Sequence, residues 1–290
     1  MKRLFLALLL PLLAAAGAQA ESLQSCDGPG REPTAEEQDL VLRFADAARR
    51  EIERSGADVA LVSRSGLNLS LLGQRYSHAG VAVADGAMGA WSVRQLYFSC
   101  DDGRPRIFDQ GLAGFVQGMN EREEGHLSLV LLQSPELRAA ASDRDLALAL
   151  LSPNYSANAY AFALNYQNCN QWLAELLAAA WGGARDRADA QAWLRSAGYE
   201  PTSIHVGPLA IFAPLSPWLH NDDRDADDAE HGRYRISLPP ALEALARQQQ
   251  AQAQRVELCH RGREVVIHRG WDAMGKGCVA GPGDESLRLQ

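Results

Sequence analysis

The segment Asn165-Tyr-Gln-Asn-Cys-Asn-Gln-Trp172 runs from a polar loop into a strongly apolar helical stretch, and no other segment constrains the fold as much. Trp172, Leu173, Leu176, Leu177 and Ala180 recur at the three-to-four spacing of an α-helix, so this helix has a face that must be buried. Cys169 falls in the first turn, where unpaired backbone N–H groups and the positive end of the helix dipole favour a thiolate. A thiolate has a nucleophile's chemistry if a histidine comes within reach. Tyr76-Ser-His-Ala-Gly-Val-Ala-Val83, far upstream, supplies a candidate in His78.

The N-terminus and the charge balance narrow the compartment and the partners. Lys2 and Arg3 precede an apolar run from Leu4 to Ala16, and Ala18-Gln19-Ala20 is a small-x-small cleavage site, so residues 1–20 read as a secretory signal cut after Ala20. The expected location is periplasmic or secreted, with no integral membrane segment after signal removal. Cleavage changes 28 Lys+Arg against 36 Asp+Glu to 26 against 36, a net charge of −10. An acidic exported protein has no broad attraction to nucleic acid or anionic lipid, so neither is expected as a partner. The five cysteines are Cys26, Cys100, Cys169, Cys259 and Cys278. Pairing Cys259 with Cys278 and Cys26 with Cys100 leaves Cys169 as the odd thiol, although sequence alone does not fix connectivity. Leu23-Gln-Ser-Cys26 has only a faint likeness to a lipid-attachment site, because Glu21 separates it from the apolar run.

Thr34-Ala-Glu-Glu37 forms a capping box and starts a helix with apolar positions Leu40, Val41, Phe44, Ala45, Ala48 and Ile52, ending at Ser55-Gly56. Strands are expected over 59–62, 78–84, 91–98 and 127–132, with a turn at Asp85-Gly86 and a short helix or turn within 107–125. Helices are expected over 135–151 and 187–197, and from Pro239-Pro240 into the Gln-rich 248–254. The acidic run Asp222 to His231 reads as a solvated loop, and 256–268 as a terminal hairpin. This gives an α+β fold with a signal peptide (1–20), a main domain (21–231) and a C-terminal extension (232–290) packed on it.

Strand alternation puts His78, Gly80, Ala82 and Ala84 on one face, leaving room beside the imidazole. On the next strand Trp91, Val93, Gln95 and Tyr97 share a face, and Gln95 is the polar exception that could orient His78. Arg94 is expected to be exposed. Cys259-His260 lacks a second well-spaced ligand pair, so neither a metal nor a cofactor is expected.

Ser-His-Ala-Gly on a strand followed by Asn-Cys-Asn-Gln-Trp at a helix start resembles the circularly permuted NlpC-type, papain-like fold, including its lecithin:retinol acyltransferase branch. More closely, the chain resembles the domain of unknown function 2145 family of bacterial exported proteins. The likeness rests on Ala60-Leu-Val-Ser-Arg-Ser-Gly66, Arg75-Tyr-Ser-His-Ala-Gly80, Trp91-Ser-Val-Arg-Gln-Leu-Tyr97, Asn168-Cys-Asn-Gln-Trp172 and Tyr234-Arg-Ile-Ser-Leu-Pro239. The resemblance implies an antiparallel sheet packed against helices that include the Cys169 helix. It also implies Cys169 as nucleophile, His78 as base and Gln95 as the third polar residue. Asn165, Tyr166 and Asn168 are the candidates for an additional oxyanion or substrate contact. The implied activity is a cysteine hydrolase or acyltransferase acting on cell-wall peptide or a lipid-like acyl group. The alternative is a non-catalytic envelope binding or assembly protein that retains the fold.

Overall fold

The computed structural model describes residues 33–86, 88–99, 102–119, 124–206 and 218–290. The signal segment, Cys26 and Cys100 lie outside them. Helix α1 (Ala35–Ser55) starts at the expected capping box, in which Thr34 Oγ1 accepts from Glu37 N at 3.2 Å and Glu37 accepts from Thr34 N at 2.7 Å. It ends at Gly56 in the left-handed region (φ 72°). The centre of the molecule is an eight-stranded antiparallel sheet in the order β10-β9-β8-β5-β1-β2-β3-β4. Its strands are β1 (Val59–Arg64), β2 (His78–Val83), β3 (Ser92–Ser99), β4 (Arg104–Gly111), β5 (Glu124–Leu132), β8 (Gln254–Arg261), β9 (Glu264–Arg269) and β10 (Glu285–Arg288).

Both sheet faces are buried. One carries Leu61, Val81, Leu96 and Val130 against α3 (Pro135–Ser142), α5 (Cys169–Gly182), α6 (Arg187–Ser196) and α8 (Pro239–Gln249). The other carries Val62, Ala82, Val93 and Leu129 against Phe44 and Ile52 of α1 and Phe115 of α2 (Leu112–Gln117). Helix α5 goes beyond the one-face reading, since every residue from Asn170 to Ala179 is buried. Complete burial of Trp172, Leu173, Leu176 and Leu177 contributes about 1.5–3 kcal/mol per side chain, which makes α5 the main anchor of its layer.

Several elements depart from the sequence reading. The segment 107–125 contains strand β4 and the start of β5 as well as the short helix, because β4 finds β3 as a partner over eight residue pairs. The helix expected over 135–151 is broken into α3 and α4 (Arg144–Ala149) at Asp143. That carboxylate accepts from the N–H groups of Asp145 and Leu146 and so caps a new helix. The acidic run is no solvated loop. Asp225 caps α7 (Ala226–Glu230), and fully buried Asp228 binds Arg233 and Arg235 of β7 (Arg233–Ile236), which pairs with β6 (Thr202–His205). Arg94 is half-buried rather than exposed, forked onto Asp109 at 2.8 and 2.9 Å. The C-terminal strands β8–β10 extend the main sheet from β5.

Candidate active site

Helix α5 begins at the expected place. Asn168 is its N-cap, with Oδ1 accepting from Gln171 N at 2.7 Å, and Cys169 is its first residue. The thiol is free, the one such cysteine among the described residues. The helix start is docked on β2, since the next side chain, Asn170, donates from Nδ2 to Ser77 O at 3.0 Å. Ser77 is the chain neighbour of His78, so the first turn of α5 and the first residue of β2 are held together.

His78 and Gln95 are brought into contact, with Gln95 Oε1 accepting from His78 Nε2. That bond puts the ring proton on Nε2 and leaves Nδ1 as the ring's acceptor. Register explains how they meet. Val81 pairs with Arg94 and Ala82 with Val93, so His78 and Gln95 sit diagonally on one face. Gly80 lies between them, and a Cβ there would stand 2.7 Å from Val93 Cγ1 and 3.0 Å from Arg94 O. The small residues of the His78 face therefore admit strand β3. Phe115 of α2 covers the imidazole, with ring centroids 5.7 Å apart.

His78 and Gln95 occupy the sheet face covered by α1 and α2, whereas α5 packs on the other, and the bond from Asn170 to Ser77 O joins the start of α5 to the beginning of β2. No hydrogen bond joins Cys169 to His78 among the described residues. Arg64, opposite His78 in the β1–β2 register, links the two electrostatically. Its guanidinium lies 5.3 Å from the Phe115 centroid and donates to Gly118 O. Its charge lowers the pKa of both Cys169 and His78.

Burial dominates both titrations. Each side chain keeps some solvent contact, but dense protein surrounds it and penalises the charged form. The Cys169 thiol is pushed up to about 11, against the opposing pull of the Asn170 N–H, Arg64 and its own N–H. The His78 imidazole is pushed down to about 3, first by burial and then by Arg64, with Gln95 acting in the opposite direction. The helix terminus favours a thiolate as expected from sequence, yet the resting pair is a neutral thiol and a neutral imidazole.

The three candidates for an additional oxyanion or substrate contact have other engagements. Asn168 uses Oδ1 in the cap and donates from Nδ2 to Ala157 O at 3.4 Å. Asn165 is exposed, with its carbonyl accepting from Asn154. Tyr166 stacks on His220 with centroids 4.3 Å apart and donates to Asp222. Sequence reasoning passed over Arg64 and Phe115, whose roles come from strand register and from α2. It also passed over Gln167, which is fully buried and binds Ser152 N, Leu150 O and Glu175 directly before the Cys169 turn.

Cys259 and Cys278 form a disulfide, which suits an oxidising, extracytoplasmic setting. No described helix is long and apolar enough to cross a membrane. No curated protein and no solved structure matches the chain. The model of the family described as "Uncharacterized protein conserved in bacteria (DUF2145)" matches residues 51–245, more than half of its length. The chain belongs to that bacterial family.

Proposed function

We propose that this member of the DUF2145 family is an extracytoplasmic cysteine hydrolase or acyltransferase of permuted papain-like fold, cleaving an amide or ester bond in cell-wall peptide or a lipid-like acyl group. One observation carries the reading. A free thiol begins a buried helix, and that helix is pinned through Asn170 to the residue before a histidine held by Gln95. As Cys169 Sγ attacks the substrate carbonyl, its proton passes to His78 Nδ1, and the C=O electron pair moves onto oxygen. Collapse of that intermediate expels the amine or alcohol, which takes the proton from His78 and leaves a thioester on Cys169. Water or another nucleophile then attacks the thioester and gives its proton to His78, and the expelled thiolate takes that proton back as the acyl product leaves. Gln95 fixes the imidazole tautomer, and the Cys169 N–H is placed to stabilise the oxyanion.

A second reading, a binding or assembly protein that keeps the fold, is favoured by the raised thiol pKa and the missing thiol–imidazole bond. The two part on acylation. With p-nitrophenyl acetate and octanoate, followed by peptide mass spectrometry, the enzyme reading expects an acyl group on Cys169 that forms faster than on free cysteine. Its formation should collapse in His78→Ala. Acylation no faster than on free cysteine, or indifferent to His78, supports the binding reading.

A further inference from the structure

The loop between β1 and β2 runs into His78 and differs in character from the rest of the surface. Residues 65–74 carry no charged side chain, although 22% of the chain is charged. The tip of this loop is a 3-10 turn (Ser70–Leu72), in which Leu71 is 100% exposed and Leu72 37% exposed. Leu71 thus gains nothing from packing within its own chain. The loop is nonetheless firmly built. Leu69 packs on the small cluster of Ile204, Tyr234, Ile236 and Leu238. At the base, Arg75 donates to the carbonyls of Met274 (3.2 Å) and Gly275 (3.1 Å). Ser77 Oγ accepts from Leu67 N at 3.0 Å, which fastens the loop to the residue before His78.

The hydrogen bonds of the tip close inwards. Leu72 N donates to Leu69 O (2.9 Å), Gly73 N to Ser70 O (3.0 Å) and Gln74 N to Leu69 O (3.1 Å). Asn68 Oδ1 accepts from both Ser70 N (3.1 Å) and Ser70 Oγ (2.6 Å). A single exposed leucine is ordinary on a protein surface, but two in succession on a charge-free tip whose donors are already used are not. A protein partner would have to offer a pocket to this convex tip and would find few donors to bond. A lipid surface needs neither, because leucine side chains enter hydrocarbon favourably and paired backbone groups leave water at little cost. The loop after β9, which Arg75 holds at Gly275, adds Val279, itself 62% exposed.

We propose that this loop docks the protein on a lipid bilayer, with Leu71 and Leu72 inserted among the acyl chains just below the headgroups. An acidic chain has no broad attraction to anionic lipid, so the apolar tip drives binding and a zwitterionic bilayer suffices. Docking brings the His78 end of β2 towards the lipid surface. It rests on the loop alone and does not depend on whether Cys169 turns over a substrate.

The test is co-sedimentation of the mature full chain with phosphatidylcholine vesicles. Half-binding is expected at on the order of 1 mM lipid, somewhat weaker than a single myristoyl chain provides. Leu71→Ser should weaken binding at least about tenfold. Because Leu71 is wholly exposed, Leu71→Ser should keep the wild-type melting temperature, so the loss reports the lipid contact. Leu42→Ser, at an exposed leucine of α1, and Cys169→Ser should bind as wild type. Raising salt from about 0.1 to about 0.5 M should change binding less than about twofold. No sedimentation up to about 10 mM lipid, unaltered binding in Leu71→Ser, or equal losses in Leu71→Ser and Leu42→Ser overturns the proposal. Binding confined to phosphatidylglycerol vesicles and removed by salt overturns it as well. So does a dimer that Leu71→Ser abolishes in the absence of vesicle binding, since a second copy would then cover the tip.

Discussion

Arg187→Ala should be among the most damaging single substitutions in the chain, although Arg187 lies outside the candidate site. Its partner Glu175 is fully buried in α5 and accepts from Arg187 Nε (2.9 Å) and Nη2 (3.1 Å), Gln167 Nε2 (2.5 Å) and Gln191 Nε2 (2.7 Å). The same guanidinium donates to the carbonyls of Ala163, Leu164 and Tyr166, in the loop that delivers Cys169. Removing the cation strands a buried carboxylate, which typically costs about 3–5 kcal/mol. At roughly 2–4 °C per kcal/mol for a chain of this size, the melting temperature should fall by about 10 °C. Burial already raises the Glu175 pKa, and Arg187 is the chief influence lowering it. Without Arg187 the folded pKa moves further above the unfolded value. The variant then loses stability as pH rises through that folded pKa, so its deficit is larger at about pH 8 than at about pH 5. Calorimetric melts at both values measure this. A deficit under about 1 kcal/mol, or one independent of pH, would refute the argument from a stranded charge.

The Cys259–Cys278 bond closes a loop of sequence separation 19, so reducing it should cost about 3 kcal/mol, read as a lower urea midpoint with reductant. An unchanged midpoint would mean that the hairpin and its covering loop are held without it. Gly80→Ala places a methyl 2.7 Å from Val93 Cγ1 and 3.4 Å from Gln95 Cβ, and should cost about 1–3 kcal/mol while shifting Gln95 from His78. Gly275→Ala, whose new methyl meets nothing nearer than Val279 O at 4.0 Å, is the control. His78, held down to about 3, should show no NMR titration from neutral to mildly acid pH. Its folded pKa lies below the unfolded value of 6.5, so the stability it contributes is full above that value and is lost as pH falls towards 3. A ring titrating near its ordinary value would show that the imidazole is not desolvated.

Local chemistry carried the sequence reading further than long-range pairing did. The Thr34 capping box, Pro135 at a helix start, and the cysteine helix are each written within a few residues, and each appears in the structure. Gln95 could be matched to His78 because strand alternation and one turn suffice to bring them together. What escaped depends on which elements pair, and short separations along the chain do not reveal that. β4 is half polar and becomes a strand only beside β3, and Arg64 acquires meaning only when register sets it opposite His78. Asp228 was hidden in an acidic run because the arginines that neutralise it lie on β7. The sign of the thiol shift was hidden for the same reason. A helix N-terminus can be read from sequence, but the packing that outweighs it cannot.

That packing decides how the proposed chemistry would have to run. A helix terminus is worth about 0.3–1 kcal/mol to an anion, and up to about 2 in favourable geometry. At 1.36 kcal/mol per pKa unit, this is at most about 1.5 units. Even with Arg64 assisting, the thiol stays near 11 instead of falling below its ordinary 9.0, so desolvation is the larger effect. The same medium holds the imidazole neutral, and a separated thiolate–imidazolium pair is the costlier arrangement at rest. Charge must therefore be created during attack, with proton transfer to His78 concerted with formation of the S–C bond. The active form is the neutral pair, which persists between the two pKa values. Acylation of Cys169 should accordingly hold a broad plateau between about 3 and about 11. A pre-formed ion pair would instead give a bell, because its imidazolium deprotonates on the alkaline side. Stopped-flow acylation with p-nitrophenyl acetate across the stable pH range separates the two. An alkaline fall that begins near pH ~8 would show that the dyad is charged at rest and that burial has been overweighed.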